Sequence, residues 1–434
     1  MNPLSSKTFV IVDNGIGVSF ARSLVGQVGR VIYFCNIMTT VLQKQLAAIG
    51  TGFPGLERTE KLHAVRTEFR ERKQDVLFVF LCVGMADLQE DLRDEGFNVF
   101  GAGDGEDLEL CRWDARQLQG RLGLPMQPTE LITGLDALRK YIQGHPEEIV
   151  KVSKYRGLGE TFEAVSYPEV KTRLDAWQVE LGPLADEQEF VVEKKIKTLR
   201  EIGYDGLNVD GRFPDIGFAG VEIKNCGYVI AAVPYEDLPD EVRVVNDKLA
   251  PAFAAWKYRG WYSSEIRIGE DGKMYLIDST CRAPSPPGEL LQNMILNLAE
   301  VLWEAAQGRL VELKLKAKYG FQVALSSDWA QKHWQGVKYP LAIEDYVKLY
   351  ETCRRHGLDW IVPGEDESAH LGYVTGFGDT IQEAMEQGME HVKQVTGDRV
   401  EFKEDLIPAL LEVLRESAKN GIHFGNSPIP DQIP

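Results

Sequence analysis

The segment Asp75-Val-Leu-Phe-Val-Phe-Leu-Cys82 carries an unbroken apolar run, so neither face of a strand built from it can meet water. Such a strand needs cover on both sides, which is the condition of a parallel sheet. Its surroundings agree. Phe9-Val-Ile-Val12 is a short apolar strand leading into Asp13-Asn-Gly-Ile-Gly17 and a helical pattern through Ser19, Phe20, Leu24 and Val25. Val31-Ile-Tyr-Phe-Cys35 and Asn98-Val-Phe100 read as further strands. Residues 8–110 therefore predict an open α/β sheet, with ligands expected at the carboxyl ends of its strands. The Gly15-Ile-Gly17 turn is a candidate anion cradle, although Phe20 leaves G-x-G-x-x-G incomplete and a plain tight turn fits as well.

A different pattern fills Ser263–Arg282. Glu265 and Arg267 alternate on one predicted strand, and Asp278, Thr280 and Arg282 alternate on the next, with Asp271-Gly272 as the turn. One face of this hairpin thus carries two carboxylates on adjacent strands. Paired carboxylates repel unless a cation lies between them, and Mg²⁺ favours one or two carboxylates together with nucleotide phosphates and water. Ordinary cross-strand ion pairs on a solvated face are the plain alternative.

The 434 residues predict two to four domains. No apolar run has the length of a membrane span and no cleavable leader pattern opens the chain. Six scattered cysteines without a CxxC pair point to reduced, cytoplasmic thiols and away from structural zinc. A net charge of −18 argues against nucleic acid or an anionic membrane as partner, but not against ATP, which needs only a local cation cluster.

Between these landmarks, 106–145 reads as helices (Asp107–Leu122 and Gly134–Ile142). Glu148–Val152 reads as a strand entering a basic, glycine-containing loop with Lys154, Gly157 and Gly159. Glu189–Ile196 is a strand ending in charge, and 201–211 and 220–225 continue as strands. Asp247–Lys257 is a helix, and Pro287–Gln307 reads as one long amphipathic helix ended by Gly308. Thr380-Ile-Gln-Glu383 is a capping box opening another helix. A helix over Asp405–Lys419 and a loosely held proline-rich tail complete the chain.

In this order the pieces resemble the ATP-grasp superfamily, most of all its phosphoribosylamine–glycine ligase (glycinamide ribonucleotide synthetase) branch, over roughly residues 8–400. The resemblance implies an α/β and α+β multidomain chain. An open parallel pre-ATP-grasp domain (1–105) is followed by an ATP-grasp domain (106–312) with a mobile lid at about 130–205. A small C-terminal α+β domain (313–400) and a helical extension with tail (401–434) follow. It implies ATP-binding roles for Arg116, Lys151, Lys154, Gly157 and Gly159 at the phosphates, for Glu193, Lys194 and Ile196 at the adenine, and for Glu201 at the ribose. Mg²⁺ or Mn²⁺ would lie on Glu265, Asp278 and Thr280, with Arg282 and Lys224 facing the acyl phosphate. Thr280 stands where the family has Asn, and Arg116 where it has Lys.

The family's Gly-Arg-Glu-His segment for phosphoribosylamine is replaced by Gly17-Val-Ser-Phe20, and its Asn-Thr-Gly-Gly-Met-Gly stretch by Cys226-Gly-Tyr-Val-Ile. The implied activity is an ATP-dependent carboxylate–amine ligase with an altered amine site, joining a small carboxylate such as glycine to an amine as a monomer or homodimer. The alternative is a catalytically decayed nucleotide-binding or regulatory protein, and a third reading is a phosphoryl- or carboxyl-transfer variant of the same fold.

Overall fold

A computed structural model describes residues 3–36, 41–154, 161–364 and 369–433. The first five strands are β1 (Thr8–Asp13), β2 (Arg30–Cys35), β3 (Leu56–Thr59), β4 (Val76–Phe80) and β5 (Asn98–Phe100). They form an all-parallel sheet in the order β3-β2-β1-β4-β5. Both faces of β4 are buried, as its composition demands: Leu77 and Val79 pack with the helices of 288–306, while Val76, Phe78 and Phe80 pack with Leu62, Val65 and Leu92. Strand β3 lacks an apolar run, with Leu56 alone buried, and was not expected from the sequence.

Strands β6 (Thr129–Thr133), β7 (Glu148–Val152), β8 (Thr161–Ala164) and β9 (Glu189–Lys194) make a separate antiparallel sheet, ordered β6-β9-β7-β8. The helices Leu135–Gly144 and Tyr167–Leu181 cover it with a core of their own. This is the segment expected as the lid. Its strands end at Lys194, since β10 (Thr198–Val209) belongs to the next sheet.

That sheet has eight strands. It adds β11 (Ile216–Ile223), β12 (Gly227–Pro234), β13 (Arg259–Gly269), β14 (Met274–Thr280) and β15 (Tyr319–Ser326). Beyond β16 (Gln335–Val337), it also takes β17 (Val347–Leu349); beyond β18 (Thr352–Arg355) and β19 (Leu358–Ile361), it takes β20 (His370–Gly378). The order is β14-β13-β10-β11-β12-β15-β20-β17, and β16, β19 and β18 form a small sheet alongside. The boundary expected at 312/313 therefore cuts through one continuous sheet.

Two helix expectations and the expectation for the tail need correction. Asp107–Leu122 is two helices, Asp107–Leu110 and Arg112–Arg121, parted at Cys111 where ψ is 70°. Pro287–Gln307 is also two, Gly288–Met294 and Leu298–Ala306. Backbone bonds from Leu296 N to Lys314 O (2.7 Å) and Lys316 N to Met294 O (2.8 Å) replace the missing turn, so pairing with a distant segment overrides local periodicity. The tail is held, not loose: Arg415 donates to the carbonyls of Pro430 (2.7 Å) and Asp431 (2.8 Å), and Tyr319 OH accepts from Ser427 N (2.8 Å). The Thr380 cap forms as read, accepting from Glu383 N at 3.2 Å.

Candidate active site

Strands β13 and β14 are the expected hairpin, and their register sets Glu265 directly opposite Asp278 and Ser263 opposite Thr280. The pairing slips by one residue after Glu265, leaving Ile277 of β14 without an opposite number. A bulge of this kind takes a carbonyl off the ladder. The Ile277 carbonyl accepts instead from Lys151 Nζ (2.9 Å) and Arg116 Nη2 (2.6 Å). The bulge thus anchors two cations beside the carboxylate pair.

These cations form a buried network. Lys151 Nζ lies 3.0 Å from Asp278 Oδ1 and 3.5 Å from Glu193 Oε2. Arg112 Nη1 donates to Asp278 Oδ1 at 2.8 Å, and Arg116 Nε is bonded to Glu193. Burial alone would raise Asp278, but Lys151, Arg112 and Arg116 outweigh it and hold the carboxyl well below its ordinary range. Arg112 and Arg116 lie one helical turn apart and both are buried, whereas their sequence suits a solvated helix face. Sequence alone reads Arg112 as ordinary solvated surface; its i, i+4 repeat with Arg116 was the signal available for more.

A cavity of about 730 Å³ opens on the same sheet face and receives Glu201, Lys224, Glu265, Asp278, Thr280 and Arg282 of the expected residues. Arg267 sits between two of its carboxylates, 2.7 Å from Glu265 Oε1 and 3.2 Å from Glu201 Oε2. Arg282 Nε donates to Glu109 Oε1 at 3.0 Å, and Glu109 Oε2 accepts from Cys281 N at 2.7 Å. Glu109, which orients Arg282, stood in a helix of undistinguished sequence.

The other expected residues lie elsewhere. Arg116, Lys151 and Glu193 belong to the buried network, so Glu193 faces its own cations and not an open adenine position. Lys194 and Ile196 line a neighbouring pocket of about 280 Å³, and the Lys194 N–H already donates to Pro128 O (3.0 Å). Lys154 is exposed, has φ 56° and ties its N–H to Leu110 O (2.9 Å). Gly157 and Gly159 lie outside the described residues. The Gly15–Gly17 cradle is closed: both N–H groups donate to Asp13 Oδ2, at 2.8 and 2.7 Å, and Tyr33 OH adds a third bond at 2.6 Å.

The donor set suits a hard divalent cation. Burial and repulsion from Glu201 and Asp278 push Glu265 up to about 7, and a cation between the opposed carboxylates would relieve that repulsion. Among the described residues no three His, Cys, Asp or Glu side chains converge as an all-protein metal cage. A pair completed by phosphate oxygens matches Mg²⁺ better than such a cage.

Neither a protein-family model nor a curated protein matches the sequence. Solved structures do match the fold. The phosphoribosylamine–glycine ligase of Thermotoga maritima superposes with a TM-score of 0.67 at 14% identity, covering 92% of this chain and 99% of that one. Biotin carboxylase of Campylobacter jejuni, solved as a β,γ-ATP complex, gives 0.65 at 13% identity over 96% and 97%. The biotin carboxylase domain of Hydrogenobacter thermophilus 2-oxoglutarate carboxylase, solved with MgADP and bicarbonate, gives 0.63 at 12% identity over 96% of each chain. The chain has the ATP-grasp fold, a multidomain α/β architecture.

Proposed function

We propose that the protein is an ATP-dependent carboxylate–amine ligase working through an acyl phosphate, similar to phosphoribosylamine–glycine ligase but with a rewritten amine site. The observation that carries this reading is the opposed Glu265–Asp278 pair on the cavity face, with Lys151, Arg112 and Arg116 gathered at its edge. Fold alone does not assign an activity, and these groups supply the chemistry the reading needs.

Glu265 and Asp278, with Thr280 beside them, would hold Mg²⁺, which when bound neutralises phosphate charge. Lys151 and Arg112 would turn from Asp278 to the ATP phosphates, and Arg116 would fix the floor through the Ile277 carbonyl. A substrate carboxylate oxygen attacks the γ-phosphorus and ADP leaves. Arg282, held by Glu109, and Lys224 face the resulting acyl phosphate and balance its charge. An amine then displaces phosphate to give an amide. The chain's contribution is positioning and charge, with no side-chain nucleophile. The sheet of β6–β9 would exclude water by closing over the acyl phosphate.

No helix among the described residues is long and apolar enough to cross a membrane. We place the protein in the cytoplasm, consistent with its free cysteines.

One observation favours a second reading, nucleotide binding without turnover: Asp278 and Glu193 already occupy the site's cations. Phosphate release from Mg-ATP, measured across amino acids with and without phosphoribosylamine and simple amines, separates the two. Release requiring one acid and one amine together establishes a ligase. ATP binding with no release across the panel supports the second reading, and release without any amine would indicate a phosphoryl- or carboxyl-transfer enzyme.

A further inference from the structure

The cavity contains a carboxylate that the reactions above leave unused. Asp205 of β10 lies two residues beyond Gly203, which pairs with Glu265, and is itself paired with Ser263, which faces Thr280. Side chains two apart on a strand share a face, so Asp205 looks into the cavity beside Glu265. Strand geometry puts it about 7 Å along the sheet from the Glu265 row and about 10 Å across from Thr280. Arg282 stands one pleat further along the β14 side. Asp205 therefore borders the space between the carboxylate pair and Arg282, where the ligase reading puts the acyl phosphate.

Its surroundings are built for an anion without a resident cation. Tyr228 of β12 donates its hydroxyl to Asp205 Oδ2 at 2.8 Å. The ring reaches there by lying across Gly220, where any Cβ would come within 2.3 Å of it. Ser263, 8% exposed, is near enough to lower the pKa of Asp205, yet its hydroxyl completes no hydrogen bond of good geometry among the described residues. Among the described residues, no lysine or arginine offsets the burial of Asp205. A carboxylate offers about four lone-pair sites, so bonds from Tyr228 leave capacity for a further donor. Around the whole cavity six carboxylates stand against three lysine or arginine side chains.

We propose that Asp205, held by Tyr228 and flanked by Ser263, binds the ammonium group of the amine substrate, a primary amine that enters as its cation. This rests on the ligase reading and names the charge of its second substrate. The bound ammonium gives one proton to the Asp205 carboxylate. The freed lone pair forms the C–N bond at the acyl carbon as the C–O bond to phosphate breaks, and the departing phosphate takes the electron pair and the second nitrogen proton.

Hydroxylamine, neutral near pH 7.5, and methylammonium or ethanolammonium chloride, both cationic, provide the test. Wild-type protein with Mg-ATP and the amino-acid panel should form hydroxamate with hydroxylamine, and the cationic amines should stimulate phosphate release or compete with trapping. Asp205→Asn should raise the KM for the cationic amine about a hundredfold and lower hydroxamate formation far less, since neutral hydroxylamine brings no ammonium to that carboxylate. Tyr228→Phe, a milder change, should raise that KM about tenfold with the fold preserved. Equal losses of hydroxamate and amine turnover in both variants would make the pair structural and overturn the proposal. So would wild-type hydroxamate formation that neither cationic amine affects. Absence of hydroxamate from the wild type would instead defeat the ligase reading itself, before any substitution is made.

Discussion

Glu193 and Asp205 are buried carboxylates on strands that meet around one site, and folding treats them in opposite ways. Burial would raise both. For Glu193, Lys151 and Arg116 outweigh burial and hold the carboxyl below its ordinary value. For Asp205, burial prevails and pushes it up to about 6, with the nearby Ser263 hydroxyl and the Tyr228 hydrogen bond offsetting only part of the rise. Burial therefore does not by itself decide a carboxylate's role. Glu193 meets its cations within the fold, whereas Asp205, with none beside it among the described residues, is suited to a charged ligand. The same division separates the cation-rich edge of the site from its acidic cavity.

The sharpest break comes at Asp278, where the two halves meet. Asp278→Ala should lower Mg-ATP turnover roughly 1,000-fold while the protein stays folded by circular dichroism; unchanged phosphate release would remove the hairpin from the site. Glu193→Gln leaves Arg116 buried without its counter-charge and should cost about 3 kcal/mol in urea denaturation at pH 7. Because folding lowers the pKa of Glu193, its stabilisation is present above the unfolded carboxylate value and is lost as pH falls through the folded one. Wild-type and Glu193→Gln stabilities should therefore converge in acid, and a gap independent of pH would show that the charge is not what matters.

Lys151→Ala should raise the KM for ATP about tenfold. A neutral result would remove Lys151 from the ATP site. The smallest effect on stability is expected at Asp205. Folding raises its pKa, so its contribution to stability declines as pH rises from about 4 toward the folded value. Asp205→Asn should accordingly be at least as stable as the wild type in a thermal melt at pH 8. A clearly lower Tm would place Asp205 with Glu193 and end the comparison.

Much of this arrangement was legible in the sequence because it follows from short-range periodicity. The apolar run at β4 demanded a sheet covered on both faces. The alternation through Glu265 and Asp278 put two carboxylates on one hairpin face. What escaped depends on distant partners. The 288–306 helix breaks because residues 314–316 pair with it, and Glu193 is satisfied by an arginine from another element. Asp205 follows Glu201 and Gly203 at strand spacing, so its face could be read, but its partner Tyr228 is fixed only when β11 and β12 fold back. The bulge at Ile277, which anchors Lys151 and Arg116, has no glycine or other local mark.

The eight-stranded sheet also bears on how the chain can be divided. β12 is paired with β15 from Gly227–Val323 to Ala231–Tyr319, and β15 has β20 on its other side. A fragment ending at residue 312 would lose β15, β20 and β17 together and bare the β12 edge, where Val229, Ile230 and Ala231 are buried in the intact protein. An open apolar edge of that kind recruits strands from other molecules. Such a fragment should self-associate when produced alone and be rescued by supplying the missing piece, which makes the C-terminal strands a built-in guard against aggregation.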